Sequence, residues 1–583
     1  MSILRKLPLA LVPLLAACAT PQGAGQPAAT VKVGLLAIND FHGAIEPPRQ
    51  SVFVPDDKGE AMPVPAGGAA YLASAIDSLK AQHPNHLLVS AGDLIGASQL
   101  SSSLFLDEPT VEVMNRIGLD FNATGNHEFD RGQDELLRMQ AGGCTQHTAR
   151  KPCQVEPFKG AKFKFLAANT IKPDGSTLFP GTVIRSFGTG RNKANVGLIG
   201  LTLEGTGELV SPEGVNGLHF ANAVTTINAA VPRLRAAGAD AIVVVIHEGV
   251  RTKGVPNPQG CEGASGPLGD IVNQLDGVDV VVSGHTHWAY ICEWQSMNAG
   301  KPILMTSAGV FGTLVTEINL EIDPRSHRLV NRSARNVIVQ SEAYRPSADR
   351  VSALTDRFPR FSPRADIAEY VARYSEAARQ FALRPAGRIG GEAVRGGDGT
   401  STGGTLGSLI ADAQLAATAG AGAQIAFMNP FGIRAPWRLA PGENGQLTFG
   451  DLYKVQPFNN VLMTQTLTGA QLRRVLEQNF DGYGPNQVLS PSRGFVYSYD
   501  LSRPVGSRIV SMMLDGKPID DAATYRVTTS DFLAFGGDTY SELSKGTDRI
   551  IGITDLAALE AWLQAIPARA VPQEERTRDV TPR

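Results

Sequence analysis

Few cysteines, no long apolar run and no surplus of charge set the first limits on this chain. Its 583 residues hold 5 Cys and carry a formal net charge of −3. The apolar stretch Leu7 to Leu15 falls far short of the ~20 residues that span a bilayer. There is no basic block and no alternation of aromatic with basic residues, which argues against a nucleic-acid polymer as partner. There is no C-x-x-C spacing, which argues against a zinc knuckle. No internal repeat is found. The length is enough for two or three domains and a large core.

Residues 1–18 read as a lipoprotein signal peptide. Arg5 and Lys6 precede the apolar stretch, and small residues follow it, the pattern of an export signal. The ending Leu15-Ala16-Ala17-Cys18 resembles a bacterial lipobox. That implies cleavage before Cys18, a lipid on its thiol, and anchoring on the periplasmic side of the cell envelope, at the outer membrane first of all. Cleavage at a later site is the alternative. Residues 19–30, rich in Gly, Ala, Pro and Gln, form a flexible tether. Cys144, Cys153, Cys261 and Cys292 then remain, and an even set in an exported protein points to disulfides. Of the three pairings, Cys144–Cys153 closes a short loop and Cys261–Cys292 flanks a histidine motif. These two are preferred over four free thiols.

From residue 31 to 340 apolar strand-like runs alternate with helical stretches such as Ala69 to Lys80 and Ala221 to Ala237, the α/β pattern. Ile303 to Thr306, Leu314 to Ile322 and Asn336 to Gln340 alternate like antiparallel strands. Residues 341–383, charged and broken by prolines, read as an inter-domain connector with a helix near Ala365 to Phe381. A second globular unit follows over 384–566. The Pro- and charge-rich tail 567–583 is expected to be disordered.

Five apolar runs in the first unit end in metal-ligand residue types. They end at Asp40-Phe41-His42, Gly92-Asp93, Gly125-Asn126-His127-Glu128, His247-Glu248 and Gly284-His285-Thr286-His287. Runs of this length read as buried parallel strands, so the polar groups collect at the carboxyl ends of one sheet. A two-metal hydrolytic site needs a shared carboxylate with Asp, Asn and His around it. Asp93 is the candidate bridge. Asp40 and His42, at alternate positions of an extended segment, point the same way. His285 and His287 could split between two metals, with Asn126 and His247 completing the second.

These motifs resemble the calcineurin-like metallophosphoesterases. The resemblance implies one metal held by Asp40, His42, Asp93 and His287, and another by Asp93, Asn126, His247 and His285. Two divalent ions are implied, with zinc and manganese the leading choices. It also implies that His127 is catalytic and stabilises phosphoryl or leaving-group charge, with Asp130 holding its imidazole. Asp130 as a cap of the helix that follows is a plainer reading. Glu128 reads as a structural hydrogen-bonding residue.

Three motifs of the second unit narrow the substrate. Asn429-Pro430-Phe431-Gly432-Ile433-Arg434 ends a strand with a turn and presents a guanidinium, suited to phosphate. Gln456-Pro457-Phe458-Asn459-Asn460 offers an aromatic face and amides. Asp531-Phe532-Leu533-Ala534-Phe535-Gly536-Gly537-Asp538 offers another aromatic and a carboxylate. They resemble the C-terminal domain of the 5'-nucleotidase family. The resemblance implies that Phe458 and Phe532 sandwich a base, that Asp538 holds ribose hydroxyls, and that Asn429, Arg434 and Asn460 contact substrate. It departs at Leu406-Gly407-Ser408-Leu409, where the family has Leu-Gly-Asn-Leu, and at Arg395, near the family's further arginines but out of register. The implied fold is α/β: an N-terminal four-layer metallophosphoesterase sandwich plus a smaller α/β C-terminal substrate-binding domain. The implied activity is release of phosphate from nucleoside 5'-monophosphates, extending to nucleotide sugars, nucleoside di- and triphosphates or 2',3'-cyclic nucleotides. The alternatives are a thiosulfohydrolase of sulfur oxidation and a non-catalytic nucleotide-binding surface protein.

Overall fold

The structure, a computed structural model, describes residues 30–148, 150–210, 212–295, 300–347, 350–396, 402–439, 444–458, 460–481 and 486–582. The signal peptide, with Cys18, and residues 19–29 of the tether lie outside the described residues. Among the described residues no helix is long and apolar enough to cross a membrane.

The first unit is built on two six-stranded sheets rather than one. One sheet runs Arg328–Ile338, Leu314–Asp323, Val31–Ile38, His86–Ser90, Phe121–Ala123, Lys164–Leu166. The other runs Ala289–Trp294, Ile303–Ala308, Val280–Ser283, Ala241–Ile246, Ala194–Leu201, Thr182–Phe187. Strand periodicity divides the core. In Val31–Ile38 the side chains of Val33, Leu35 and Ala37 face the second sheet's Val243, Val245, Val280 and Val282. Leu36 and Ile38 face the opposite way, onto the helices Ala69–Gln82 and Glu108–Ile117. Alternation with period two places every second residue on one face, so each central strand is apolar throughout. The second sheet packs its other face on Ala223–Ala236 and Pro267–Asn273. The result is four layers, helix–sheet–sheet–helix. Ile303–Ala308 differs from the antiparallel expectation: it is parallel to Val280–Ser283 and antiparallel only to Ala289–Trp294.

The connector's helix, Ala365–Ala382, lies on the first unit, with Ile367, Tyr370 and Tyr374 inside its outer core. The second unit centres on a five-stranded sheet ordered Ser490–Pro491, Ile425–Met428, Thr524–Ser530, Val461–Thr468, Thr547–Thr554. Gly404–Ala417 and Asp555–Gln564 cover one face, and Gly469–Glu477 lies in the core of the other. Thr468 and Gln471 form a capping box at the start of Gly469–Glu477, satisfying backbone donors that the helix leaves open. Both preferred disulfides, Cys144–Cys153 and Cys261–Cys292, are present.

The tail corrects the expectation of disorder. Thr577–Asp579 pairs in parallel with Phe495–Tyr499. Arg576 places both terminal nitrogens on the Asp412 carboxylate at 2.7 and 3.0 Å, with its side chain 3% exposed. Composition predicted a solvated tail, but a buried two-point ion pair fixes it. Replacing Arg576 with Ala strands a buried carboxylate, a change that costs about 3–5 kcal/mol. Urea unfolding followed by second-unit fluorescence should show a loss of that size, and deletion of 567–583 at least as much.

Candidate metal centre

The ligand motifs from both sheets meet at the carboxyl ends of their strands. Asp40, His42 and His287 bring one ligand atom each within 4.8 Å of one another, and so do Asp93, His247 and His285. The two groups touch at Asp93. Its Oδ2 lies 3.0 Å from His247 Nε2 and 3.7 Å from His42 Nε2. His42 Nε2 and His287 Nε2 are 3.2 Å apart, two nitrogens aimed at one point. His42 Nδ1 donates to the Gly96 carbonyl at 2.9 Å and His247 Nδ1 to the Ala91 carbonyl at 2.8 Å. A carbonyl only accepts, so Nδ1 carries a proton in both rings and Nε2 is the ligand face.

Backbone geometry corrects the extended arrangement expected for Asp40 and His42. Asp40, His42, Asp93, His285 and His287 all have positive φ, between 47° and 68°. L-residues seldom adopt this region, and such clustering of strain is typical of functional sites. Interlocking loops hold it. Asp40 N donates to Gly92 O and His42 N to Asp93 O. Glu128 accepts from the backbone of Asp93, Leu94 and Gly125. Gly125 has no alternative, because a Cβ there would stand 2.1 Å from Asp93 Oδ1.

Burial sets the charge states. It lowers His42 and His285 to about 3, so both imidazoles are neutral and keep their lone pairs. Burial would raise Asp93, but the charges of His247 and His127 outweigh it and hold the carboxyl well below its ordinary value. Burial opposes a charge on His247, yet Asp93 raises it to about 10. This corner demands positive charge. The donor set fits divalent cations on a separate ground as well: Asn126 Oδ1 is buried without a hydrogen-bond partner. Nitrogen, carboxylate and amide oxygen together suit first-row divalent metals.

Residues 34–289 match the sequence model of the calcineurin-like phosphoesterases, and residues 386–545 match that of the 5'-nucleotidase C-terminal domain. The chain belongs to the 5'-nucleotidase family. Its first unit is a metal-dependent phosphohydrolase domain of that family. An endonuclease of Bacillus subtilis is 31% identical over 92% of this chain, which spans 40% of the Bacillus protein. A probable 5'-nucleotidase of Treponema pallidum is 25% identical, with 88% of this chain and 87% of that protein covered. The crystal structure of a 5'-nucleotidase precursor from Thermus thermophilus superposes with a TM-score of 0.71 at 25% identity, covering 95% of this chain and all of that one.

Next to the candidate metal centre, His127 Nδ1 lies 3.0 Å from both Asp130 oxygens. Asp130 does not cap the helix Gln133–Ala141, whose N-cap is Gly132 without a side-chain bond. Burial disfavours charge on His127, but Asp130 and Asp93 outweigh it and raise the imidazole above its ordinary value. The second unit reaches this point. Phe458 stacks on the His127 ring, with centroids 5.6 Å apart and planes 12° apart, and the Arg434 guanidinium lies 5.8 Å from the Phe458 centroid. Arg434 feels Asp93, Asp130, Asp538 and Asp40, so it faces the cluster. Asn429 Nδ2 donates to Asp538 at 2.6 Å. Arg395 lies close enough to Arg434 for the two charges to repel. Phe532 is half-buried, its ring on Gly537, and Asn460 accepts from Asp555 N through its carbonyl. Neither is drawn into the His127 contact set. One positioning residue had no sequence signal beyond its place before Asp40. Asn39 is buried, donates to Asp40 Oδ2 at 2.6 Å and to Gly309 O, and accepts from Ala308 N. Elemental analysis after metal loading should find two equivalents per chain, and less than half of that in Asp93→Ala. Full loading of that variant would remove Asp93 from the shared position.

Proposed function

We propose that this chain hydrolyses nucleoside 5'-monophosphates to nucleoside and inorganic phosphate. The observation that carries the reading is the meeting of Phe458 and Arg434 of the second unit with His127 of the first. It sets a base-sized aromatic face and a phosphate-binding cation beside the metal centre. Asp40, His42, Asp93 and His287 would hold one cation, and Asp93, Asn126, His247 and His285 the other. When bound, a pair of divalent ions polarises the phosphoryl oxygens and supplies a hydroxide-like nucleophile at neutral pH.

The chain's own residues do the rest. Arg434 pairs with phosphoryl oxygens through its planar fork. With Asp130 on Nδ1, His127 presents Nε2–H to the phosphoryl or leaving oxygen and passes its proton to the departing 5'-oxygen. Phe458 and Phe532 bracket the base. Burial raises Asp538 to about 6, against the hydrogen bond from Asn429. Near neutral pH it is therefore mainly a carboxylate, able to accept from two ribose hydroxyls. Asn429 and Asn460 complete the nucleoside contacts.

The two disulfides suit an oxidising compartment, and with the Leu15–Cys18 motif they support a lipid-anchored protein of the bacterial cell envelope. The metal-ligand set is complete, which leaves no observation in favour of a non-catalytic binder. A thiosulfohydrolase gives no role to Phe458 stacked on the dyad.

Phosphate release from AMP should depend on zinc or manganese. His127→Ala should lower kcat by about 10²- to 10⁴-fold with the metal content unchanged. Phe458→Ala should raise KM for AMP by about tenfold, the loss of one aromatic stack. A fully metal-loaded chain that leaves AMP intact would refute the assignment.

A further inference from the structure

Phe311, in the turn 309–313 beside the metal centre, has no part in the reading above. It touches every member of the ligand group formed by Asp40, His42 and His287. Its backbone N–H donates to the Asp40 carbonyl at 2.8 Å. Its ring centroid lies 5.9 Å from that of His42 and 6.3 Å from that of His287, with the planes tilted by 59° and 57°. Such separations and tilts are those of attractive aromatic pairs. Among the described residues no ring contact or hydrogen bond joins Phe311 to Asp93, His247 or His285.

The two imidazoles it meets are held differently. His42 has its Nδ1 fixed on the Gly96 carbonyl at 2.9 Å. Among the described residues His287 makes no hydrogen bond at Nδ1, and its side chain is 30% exposed. Metal-binding imidazoles usually take their direction from a bond at the other ring nitrogen. For His287 ring packing stands in its place, from His42 at 5.1 Å and from Phe311. The turn is built to keep a phenyl ring there. Phe311 has a φ of 58°, a region that bulky side chains seldom enter and where strain marks functional positions. A glycine would adopt it freely, so the ring is what this residue adds. Asn39 accepts from Ala308 N and donates to Gly309 O at one end of the turn. Thr313 N and Oγ1 both donate to Val310 O at the other. Gly312 lets the turn lie on Phe41, whose ring a Cβ there would meet at 3.1 Å.

We propose that Phe311 is a positioning residue for the cation of this first group: its ring sets the direction of the His287 imidazole and keeps the two Nε2 atoms on one point. Those nitrogens stand 3.2 Å apart, and Asp40, whose backbone Phe311 holds, completes the group. The hydrophobic surroundings of a metal site shape its affinity as its hydrogen bonds do. The proposal rests on the two-cation reading of the centre and not on the choice of substrate. Its effect is confined to one group, because among the candidate ligands Phe311 meets only Asp40, His42 and His287.

Calorimetric titration with Zn²⁺ and the visible spectrum of the Co²⁺ form test it in wild type, Phe311→Gly and Phe311→Tyr, each alone and combined with His285→Ala or His42→Ala. Phe311→Gly removes the ring and keeps the turn, since glycine accepts its φ. With His285→Ala, where the first group remains, Phe311→Gly should weaken Zn²⁺ binding by about tenfold and shift the Co²⁺ bands. With His42→Ala, where the second group remains, it should leave the affinity within about twofold. Phe311→Tyr should recover most of the loss in the first group. Equal weakening of both groups, or none in either, would overturn the role of Phe311 while the two-cation reading stands. A wild type that takes up no Zn²⁺ overturns that reading and this proposal with it.

Discussion

A single buried carboxylate ties the two sheets, the dyad and the charge balance of the site together. Asp93 follows a strand of the first sheet, yet its Oδ2 is 3.0 Å from His247, which follows a strand of the second. Its Oδ1 accepts the backbone N–H of His127 at 2.9 Å. Asp93 is itself held by Glu128, whose carboxyl burial and Asp93 together push up to about 7. Two acidic groups packed this closely are relieved by a proton on Glu128 or by positive charge nearby. His247 and His127 supply it in part, and the candidate ligand groups would take cations for the remainder.

Holding that arrangement strains the backbone. Five candidate ligand residues sit at positive φ, each at a cost of order 1–3 kcal/mol. The offset is local and visible. The loop after Val31–Ile38 and the loop after His86–Ser90 exchange backbone bonds at Asp40, His42 and Gly43. Glu128 fastens the second of these to Gly125. The strain shortens the reach between strand end and ligand atom. Side chains from two sheets can then converge without long mobile loops, which suits a site that must keep its geometry before substrate arrives.

The candidate metal ligands stood out in the sequence because each ends an apolar run and each is a residue type that binds cations, and six of them come together in the two groups at Asp93. Position in sequence does not say which sheet a buried strand joins, since Ala241–Ile246 and His86–Ser90 are equally apolar. Hence the motif reading put the polar groups on the rim of one sheet, whereas they come from both sheets of the four-layer sandwich that the resemblance implied. The left-handed turns at Asp40 and His42 left no trace either, because aspartate and histidine tolerate αL without the glycine that would have announced it. The tail failed for a different reason. Its composition is that of a solvated segment, and the partner that buries Arg576 is Asp412, 164 residues away. Local pattern carries no information about a contact of that range.

The second unit meets the first by two routes that share one geometry. Phe458 and Arg434 face the His127 side of the metal centre directly. Tyr453, five residues before Phe458 and buried, donates to Ser103 of the first unit. Ser103 also accepts from Arg131, which pairs with Asp107. Asp107 accepts from the Gly96 N–H, and the Gly96 carbonyl accepts from the ligand His42. Arg131 directly follows Asp130 of the dyad. Buried polar chains of this kind tolerate little displacement, because each unpaired member carries its full desolvation penalty. The seat of the second unit and the orientation of a metal ligand are therefore set by the same bonds. The interface that positions Arg434 and Phe458 therefore also positions His42.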